Sequence, residues 1–509
     1  HGGVSFIDLR DMYGVLQVVL RDTTLLDGIH KEECIAIEGI MEQRDEETYN
    51  PKIPSGTIEL EAKKITILGQ VYQQLPFEVQ TSKEVREDVR LKYRYLDLRN
   101  QKVKDNMIFR SKVIAFLRQK MTDMGFLEIQ TPILCASSPE GARDYIVPSR
   151  KYKGKFYALP QAPQQYKQLL MVSGFDKYFQ IAPCFRDEDA RADRSPGEFY
   201  QLDMEMAFAS QEDVFAVIED VLPPVFAKYG IYKEASKAPF ARISYRDALE
   251  KYGSDKPDLR IDLVLQDATE VLADCGFGPF DGQCVEAIVV DQFTATRKVI
   301  DKICADVEVQ SGQKAYWFKL DENGELVGGI AKFLQERKEA VIEKLGLKKG
   351  DFVGLTAGKK GDALKGAGVL RKYLGMNSEA HMKQNCYEFC WIVDFPMYEI
   401  GEESGELEFC HNPFSMPQGG MDALCNADPL SINAYQYDLV CNGVELSSGA
   451  VRNHDPEIMV KAFEIVGLGE DAVKAKFPAM YNAFCYGAPP HAGIAPGVDR
   501  MIMLICGEE

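Results

Sequence analysis

One segment, Tyr178–Phe208, constrains the fold of this 509-residue chain more than any other. Two β-type runs, Phe179–Cys184 and Glu198–Phe208, flank a loop that carries three arginines and four acidic residues. Inside the runs, charged side chains alternate with apolar ones, as in strands with one polar face. We therefore predict two sheet strands here, in preference to a surface hairpin held by salt bridges. The polar side chains expected to project from the sheet are Arg186, Glu198, Gln201, Asp203 and Glu205.

The charged loop and its strands suit a nucleotide. A planar, permanently charged arginine such as Arg186 matches a phosphate chain whose negative charge grows during displacement. Phe199 offers an aromatic face on which a purine can stack. We predict an ATP-consuming active site in this segment, completed by the glycine-rich stretch Gly487–Arg500, where the backbone can approach a ligand closely.

Two acidic residues, Asp438 and Glu445, flank a mostly apolar run near the C-terminus. Paired carboxylates are hard oxygen ligands that suit a Mg²⁺ ion bridging phosphates. Such pairs are common on protein surfaces, so this one gains weight only beside the arginine-rich segment.

Composition limits the class of protein. The chain is 46% hydrophobic and 27% charged, which is typical of a globular protein with several domains. No apolar run approaches the length of a membrane-spanning helix, so no membrane partner is expected. Thirteen cysteines without a CxxC pair indicate reduced thiols in a cytoplasmic protein.

The formal net charge of −19 opposes a polyanionic partner unless the surface is locally basic. The stretch Thr81–Lys120 is such a place, with twelve Lys and Arg against five Asp and Glu. Two interpretations stay open: a solvated helical face, or a surface for an RNA backbone.

Short β-type runs separated by turn formers fill residues 1–75, a pattern typical of a small antiparallel barrel. Residues 76–105 read as a linker, and Met107–Met124 has the apolar spacing of a helix. The β-type runs are Val4–Leu9, Val15–Leu20, Cys34–Met41, Thr57–Leu60 and Lys64–Gly69.

Residues 261–395 differ in character from their flanks. We predict helices at Leu263–Cys275 and Ile330–Lys344, and few residues in this stretch are of catalytic type. This indicates an inserted domain. The catalytic domain would then be assembled from residues 106–260 and 396–509.

Several segments together resemble the bacterial-type aspartyl-tRNA synthetases, which are class II aminoacyl-tRNA synthetases. Gly125–Pro132 is similar to motif 1 with its closing proline, Phe185–Glu205 to motif 2, and Gly487–Arg500 to motif 3. The resemblance covers essentially the whole chain. Further matches are Ser138–Tyr145, Gln161–Gln168, Tyr252–Arg260 and Trp391–Pro396.

The resemblance implies an α+β fold with an N-terminal OB-fold barrel, a six-stranded antiparallel catalytic sheet flanked by helices, and an inserted α/β domain of the GAD type. It implies a homodimer sealed partly by motif 1. The implied reaction joins L-aspartate to ATP, giving aspartyl-adenylate and pyrophosphate, and then transfers aspartate to tRNA(Asp).

The resemblance also assigns residues to ATP and Mg²⁺. Arg186 and Arg500 would be the catalytic residues, on the α- and γ-phosphates, and Asp438 and Glu445 would be the metal ligands. The implied ATP-binding residues are Arg186, Glu188, Phe199, Glu445 and Arg500.

For the amino acid, Lys167 and Arg452 would bind the two carboxylates, since a buried dicarboxylate needs two separate cations. The implied aspartate-binding residues are Glu140, Gln164, Lys167, Gln201, Asp203, His411 and Arg452. In the barrel, Phe6, Gln17 and Glu59 match anticodon-binding positions: an aromatic ring for stacking and polar groups for base edges.

The sequence departs from the family pattern by an extra residue, Gly197, in the motif 2 loop. It also lacks the first barrel strand and the segment that usually follows motif 3, so both ends are expected to be incomplete.

Three alternatives stay open. His1 before two glycines resembles enzymes that charge both tRNA(Asp) and tRNA(Asn). A non-catalytic tRNA-binding or amidotransferase-associated protein is disfavoured by the intact Arg186, Arg500, Asp438 and Glu445. An asparagine-forming ligase is disfavoured by the N-terminal barrel.

Overall fold

The computed structural model describes residues 3–137, 142–188, 197–401 and 404–508. It divides into two compact units, His1–Asp105 and Asn106–Glu509.

The N-terminal unit is built on a four-stranded sheet with the order β1-β2-β4-β3, in which β2 and β4 are parallel and the other neighbours antiparallel. Its elements are β1 (Ser5–Arg10), β2 (Val15–Leu20), β3 (Cys34–Gln43), β4 (Ile58–Gly69), α1 (Glu87–Lys92) and α2 (Arg94–Asp97), with 3₁₀ turns at Thr23–Leu26, Glu46–Thr48 and Val79–Glu84. Val18 and Leu20 pack against Leu60 and Ala62 in its core.

Two runs predicted as separate strands, Thr57–Leu60 and Lys64–Gly69, are one strand, β4. The register of β4 against β3 shifts between Glu38 and Gly39, which marks a β-bulge. Since the bulge adds a residue, it breaks the alternation by which a continuous strand is recognised in sequence.

Helix α3 and a mixed segment follow the N-terminal sheet. The elements are α3 (Gln101–Asp123), β5 (Leu127–Glu128), β6 (Ile146–Pro148), β7 (Phe156–Ala158), α4 (Gln164–Val172), β8 (Lys177–Phe185), β9 (Glu198–Ala207), α5 (Gln211–Tyr229), β10 (Glu234–Ala235), β11 (Ala241–Ser244) and α6 (Tyr245–Tyr252).

A second, five-stranded sheet with the order β12-β13-β16-β14-β15 has only antiparallel neighbours. Each of its two faces has its own apolar cluster, around Val285 and Leu355 on one face and Ile288 and Leu370 on the other. Its elements are β12 (Leu265–Asp267), α7 (Thr269–Leu272), β13 (Cys284–Val290), α8 (Arg297–Ser311), β14 (Ala315–Leu320), β15 (Leu326–Val327), α9 (Lys338–Leu345), β16 (Phe352–Gly358) and α10 (Lys360–Met376), with 3₁₀ turns at Gly278–Phe280, Ala331–Phe333, Gln335–Arg337 and Glu379–His381.

The C-terminal segment supplies four strands of a large sheet that it shares with the segment after α3. Its elements are β17 (Cys386–Tyr387), β18 (Phe389–Val393), β19 (Tyr398–Ile400), β20 (Leu407–Phe409), α11 (Gly420–Asn426), β21 (Gln436–Cys441), β22 (Val444–Val451), α12 (Pro456–Ile465), α13 (Glu470–Lys476), α14 (Pro478–Phe484), β23 (His491–Ile494) and α15 (Val498–Cys506), with a 3₁₀ turn at Pro429–Ser431.

The large sheet has eight strands in the order β11-β18-β21-β22-β23-β9-β8-β5. Its six central strands are antiparallel to their neighbours within that group, which confirms the predicted six-stranded antiparallel sheet. The short strands β11 and β5 add one parallel neighbour at each edge.

Helix α5 covers one face of this sheet. A capping box of Ser210 and Asp213 starts the helix. Its buried face, including Val214 and Ile218, joins the main core, where the Phe215 ring stacks on Trp391 with 4.0 Å between centroids. The apolar face of the sheet is therefore closed, and its other face is left for polar side chains.

Two predicted helices of the insert are wrong in extent. In Leu263–Cys275 only Thr269–Leu272 is helical and Leu265–Asp267 is a strand, because the buried Ile261, Leu263 and Leu265 recur with the period of two of an extended chain. In Ile330–Lys344, two 3₁₀ turns precede the regular helix α9.

The insert predicted to end at residue 395 overlaps the large sheet. Strand β18 pairs with β11 and β21 inside the eight-stranded sheet, so the inserted segment ends before Phe389. The other domain boundaries stay predictions.

Candidate active site

Four buried charges meet on the polar face of the large sheet. Lys167 of α4 places Nζ 2.8 Å from Oδ1 of Asp203 and 3.3 Å from Oε2 of Glu205, both on β9. Arg452, just after β22, donates from Nε to Oε1 of Glu205 at 2.9 Å. All four side chains are at most 2% exposed. The result is a closed network of two cations and two anions.

A glycine makes room for this network. A Cβ atom at Gly493 of β23 would lie 1.9 Å from Oε2 of Glu205 and 2.4 Å from the carbonyl oxygen of Met204. Since both neighbours are held in strand β9, any larger residue at 493 would displace the Glu205 carboxylate. The glycine-rich stretch before Arg500 therefore shapes the pocket.

The charges of this network are mutually stabilised. Burial alone would raise the pKa of Glu205, but the positive charges of Arg452 and Lys167 hold it below its ordinary value. Burial likewise opposes the charge of Arg452, and Glu205 more than offsets this and raises the pKa of Arg452. Both groups thus stay ionised in the interior.

Tyr178 holds the Asp203 carboxylate in place by a hydrogen bond. Its hydroxyl donates to Oδ2 of Asp203 at 2.8 Å, and it accepts from Nε2 of Gln180 at 2.6 Å. Burial and the neighbouring Asp203 charge raise the pKa of Tyr178 far above its ordinary value, so it remains a donor. Asp203 is therefore fixed from two sides.

Arg186 lies at the end of β8, with its guanidinium carbon 5.0 Å from the centre of the Phe199 ring. Its buried Nε finds no hydrogen-bond partner among the described residues. A donor nitrogen held in this way is suited to an anionic oxygen. The structure thus brings together two of the residues assigned to ATP.

Asp438 of β21 and Glu445 of β22 form the second acidic site. Glu445 lies 3.5 Å from Nζ of Lys256, and its backbone carbonyl accepts a 2.7 Å hydrogen bond from Arg500. Burial, followed by the nearby Glu445 charge, raises the pKa of Asp438 to about 8. In the described part of the chain nothing hydrogen-bonds its buried Oδ1.

These two carboxylates fit a Mg²⁺ ion. A divalent cation would satisfy the orphaned Oδ1 and offset the repulsion that raises the pKa of Asp438. Within the described ranges, no group of three or more His, Cys, Asp or Glu side chains forms a metal cage. The remaining ligands would therefore have to come from water or from phosphate oxygens.

The other residues assigned to the amino acid differ in placement. Gln164 lies at the start of α4 and is buried, and Gln201 accepts a 3.4 Å contact from the Cys184 thiol on β8. His411 is exposed and packs edge-on against Phe395, with 5.0 Å between ring centroids. Glu188 is exposed, and Glu140 lies outside the described residues.

In the N-terminal unit, the three residues assigned to the anticodon lie on adjoining strands. Phe6 of β1 is 61% exposed. Gln17 of β2 donates to Oε2 of Glu59 on β4 at 2.9 Å. Arg44, which no sequence motif singled out, places Nε 3.8 Å from the same carboxylate oxygen.

Most arginines of the basic stretch are already paired. Asp97 binds Arg90 and Arg94, Arg99 binds Glu32, and Arg86 binds Asp88. This favours the solvated helical face over an RNA surface, since these charges are partly neutralised.

Two family models match the chain. The model of class II tRNA synthetases (D, K and N) matches residues 86–509, which include the whole large sheet and its charged face. The chain belongs to this family of class II synthetases. A model of OB-fold nucleic acid binding domains matches residues 1–68 of the synthetase.

Curated relatives match the synthetase over its full length. It is 52% identical to an aspartate–tRNA ligase of Streptomyces coelicolor, over all of this chain and 87% of the relative. It is also 52% identical to an aspartate–tRNA(Asp/Asn) ligase of Zymomonas mobilis, with the same coverage. The family assignment from sequence motifs is therefore confirmed.

Solved structures share the fold of the synthetase. An asparaginyl-tRNA synthetase of Pyrococcus horikoshii aligns with a TM-score of 0.59 at 16% identity, over 100% of this chain and 89% of that one. An aspartyl-tRNA synthetase of Entamoeba histolytica aligns with a TM-score of 0.57 at 20% identity, over 100% and 83%. The described ranges contain no helix long and apolar enough to span a membrane.

Sequence reasoning missed the pairing role of Glu205, the contact of Lys256 with the acidic pair, and the place of His491. Glu205 was recognised as a polar residue of the strand, but its partner Arg452 is 247 residues away. Little in the sequence indicated a role for His491, since a histidine at the start of a strand is common. Its partner Gln168 lies on helix α4, 323 residues away in sequence.

Proposed function

We propose that the synthetase is an aspartate–tRNA ligase. It would activate L-aspartate with ATP to aspartyl-adenylate and pyrophosphate, and then transfer aspartate to the 3′ end of tRNA(Asp). The observation that carries this proposal is the buried pair of cations, Lys167 and Arg452, fixed by Glu205 between them. Two separate cations suit the two carboxylates of aspartate, whereas the uncharged amide of asparagine would bring no second negative charge to them.

For the activation step, the residues act by position and charge. Arg186 would hold the α-phosphate through its unpartnered Nε, and Arg500 would hold the γ-phosphate. Phe199, with Glu188, would lie at the adenine. In-line attack of the aspartate carboxylate on ATP needs alignment and charge neutralisation, so no proton-transfer residue is assigned. When bound, Mg²⁺ supplies charge neutralisation on the phosphates, and Asp438 and Glu445 would hold it.

The ammonium group of the amino acid would bind among acceptors on the same face. Asp203 is anchored there by Lys167 and Tyr178, and we assign Gln164 of α4 and Gln201 of β9 to the same subsite. His411 and Glu140 complete the set of residues assigned to aspartate.

The direct test is ATP–pyrophosphate exchange with the purified protein. We expect exchange that depends on L-aspartate and is absent with L-asparagine, followed by charging of tRNA(Asp). Exchange driven by L-asparagine, or no exchange with either amino acid, would contradict the proposal.

A second candidate is the broader activity that also charges tRNA(Asn). The supporting observation is that relatives at the same 52% identity carry both names, aspartate–tRNA ligase and aspartate–tRNA(Asp/Asn) ligase. Charging of purified tRNA(Asn) above background would establish the broader activity, and charging of tRNA(Asp) alone would exclude it.

We also propose a cytoplasmic homodimer. All thirteen cysteines are free, as in a reducing compartment. Large apolar side chains around motif 1 are exposed in the single chain, as expected of a surface covered by a second copy. They are Met107 (50%), Phe109 (38%), Leu127 (53%), Ile133 (46%) and Leu134 (55%). Light scattering should give twice the chain mass, and a monomer at micromolar concentration would refute the dimer.

The exposed ring of Phe6 gives a test of anticodon binding. We expect Phe6→Ala to raise the KM for tRNA about 10-fold, because one stacking contact with a base is worth about 1–3 kcal/mol. Aspartate-dependent exchange should not change, since no tRNA takes part in it. Tyr72→Ala removes a ring of the same unit that is more exposed than Phe6 (85% against 61%) and serves as the control. An unchanged KM in Phe6→Ala would remove this residue from the interface.

A further inference from the structure

A chain of buried polar groups runs from the backbone before β23 to the start of α4. Nδ1 of His491 lies 2.8 Å from the carbonyl oxygen of Pro489, and Nε2 of His491 lies 3.0 Å from Nε2 of Gln168. Gln168 in turn accepts at Oε1 a 2.9 Å hydrogen bond from Nε2 of Gln164. The side chains of His491 and Gln168 are fully buried, and Gln164 is 9% exposed.

The polarity of this chain is set at one end. A carbonyl oxygen only accepts, so Nδ1 of His491 must carry the proton, and the other nitrogen of a neutral imidazole is then an acceptor. Gln168 therefore has to donate its amide N–H to His491, which turns its oxygen towards Gln164. Gln164 donates to that oxygen through Nε2. The carbonyl oxygen Oε1 of Gln164 is then available to accept a hydrogen bond.

The neutral state that this chain requires is favoured by its surroundings. Burial lowers the pKa of His491, and the Arg452 charge acts in the same direction, while the Glu205 charge opposes it. The His454 ring lies 6.4 Å away between centroids. An imidazolium would place two N–H donors, its own and that of Gln168, against each other, which the geometry forbids without a flip of the amide.

The geometry points to His491 as a positioning residue for the amino group of the substrate. Acting through Gln168, it fixes the orientation of the Gln164 amide so that Oε1 faces the pocket as an acceptor for an ammonium group. Gln164 and Lys167 are three residues apart on α4 and so share a face of the helix. This inference rests on the proposed aspartate activation. It adds to that proposal the residues, His491 and Gln168, that orient the acceptor for the ammonium group.

The test compares two ligands that differ in the ammonium group. Succinate has the two carboxylates of aspartate and lacks its amino group. We expect His491→Phe, which keeps a ring but no acceptor, to weaken aspartate binding about 10–100-fold, the range for a hydrogen bond to a charged group. Succinate binding, measured by calorimetry or by inhibition of exchange, should change less than about 2-fold, because no hydrogen bond of the ammonium group is involved.

A second variant keeps the test independent of one substitution. Gln168→Met breaks the same chain from the helix side, so it should give the same aspartate-specific loss, and the double variant should lose little more than either single one. Thermal unfolding reports the fold of each variant. Equal losses of aspartate and succinate affinity, or no loss in either variant, would overturn the inference. Absence of exchange in the wild-type protein would instead reject the proposed function itself.

Discussion

Replacing Lys167 by alanine is expected to lower kcat/KM for L-aspartate in ATP–pyrophosphate exchange by about 10²–10⁴-fold. Loss of one partner of a buried ion pair is worth about 3–5 kcal/mol, and each 1.4 kcal/mol corresponds to a factor of ten. The Lys167→Ala substitution removes two kinds of interaction. Asp203 and Glu205 lose their shared cation, and a substrate carboxylate loses its partner.

The control separates this effect from a general loss of a lysine. Lys177→Ala, at the start of β8 next to β9, removes an exposed lysine whose Nζ donates to the carbonyl oxygen of Met124 at 3.2 Å and lies 5.6 Å from the centre of the Phe126 ring. It should leave exchange unchanged. Lys167→Gln has a slightly shorter side chain that keeps a hydrogen-bond donor without the charge, and it should be as inactive as the alanine variant while unfolding at a higher temperature. Substantial exchange in a folded Lys167 variant would remove this residue from the aspartate pocket.

Asp438→Asn is expected to stabilise the metal-free protein while it inactivates it. The wild-type carboxylate is buried, repelled by Glu445 and lacks a partner for Oδ1 among the described residues, and asparagine removes the charge at nearly the same size. At pH 8 the free energy of unfolding should rise by about 1–3 kcal/mol, because asparagine removes the charge that burial and Glu445 oppose while it keeps polar atoms in need of partners. Exchange should fall by about 10²-fold or more through loss of a metal ligand, since a ligand contributes several kcal/mol of charge stabilisation.

The pH dependence gives the sign of this effect. Since the folded state raises the pKa of Asp438 from 3.8 to about 8, the folded protein holds that proton more tightly than the unfolded chain. Below about pH 4 the Asp438 carboxyl is protonated in both states and does not lower the stability of the wild type. As the pH rises towards 8, the free energy of unfolding of the wild type falls. The difference in stability between variant and wild type should grow across this window in urea titrations.

Magnesium supplies the complementary control. Addition of Mg²⁺ and ATP should stabilise the wild type by mass action and should stabilise Asp438→Asn much less. A variant that is less stable than the wild type at pH 8 without Mg²⁺ would show that the carboxylate is not under strain. A variant that retains full exchange would show that it is not a metal ligand.

Local patterns predicted much of the fold. Strand β2 follows from a β-type run between turn formers, and the paired strands β8 and β9 follow from charged residues that alternate with apolar ones. The resemblance supplied the order of the large segments. Alternation failed at the bulge in β4. Helical propensity misled at Leu263, where the neighbouring sheet buries every second residue.

The site was predictable as a set of residue types and less so as a set of contacts. Lys167, Asp203 and Arg452 were assigned because each stands in a recognisable motif, and the structure brings them into one buried network with Glu205. The role of Glu205 could not be read from the sequence, since it depends on Arg452 and on the space left by Gly493. The orphaned Oδ1 of Asp438 likewise depends on three-dimensional neighbours.

The ion pair of Glu205 and Arg452 joins residues 247 positions apart, on either side of the inserted segment. Contacts of such long sequence separation form late, because a long loop must close before they can contribute. The aspartate pocket should thus be among the last features to appear during folding. A nascent chain that has emerged only as far as the insert already contains Lys167 and Asp203, yet it lacks four strands of the large sheet, β18, β21, β22 and β23. Amino-acid activation therefore requires the residues that follow the insert, and refolding experiments should show structure returning before activity.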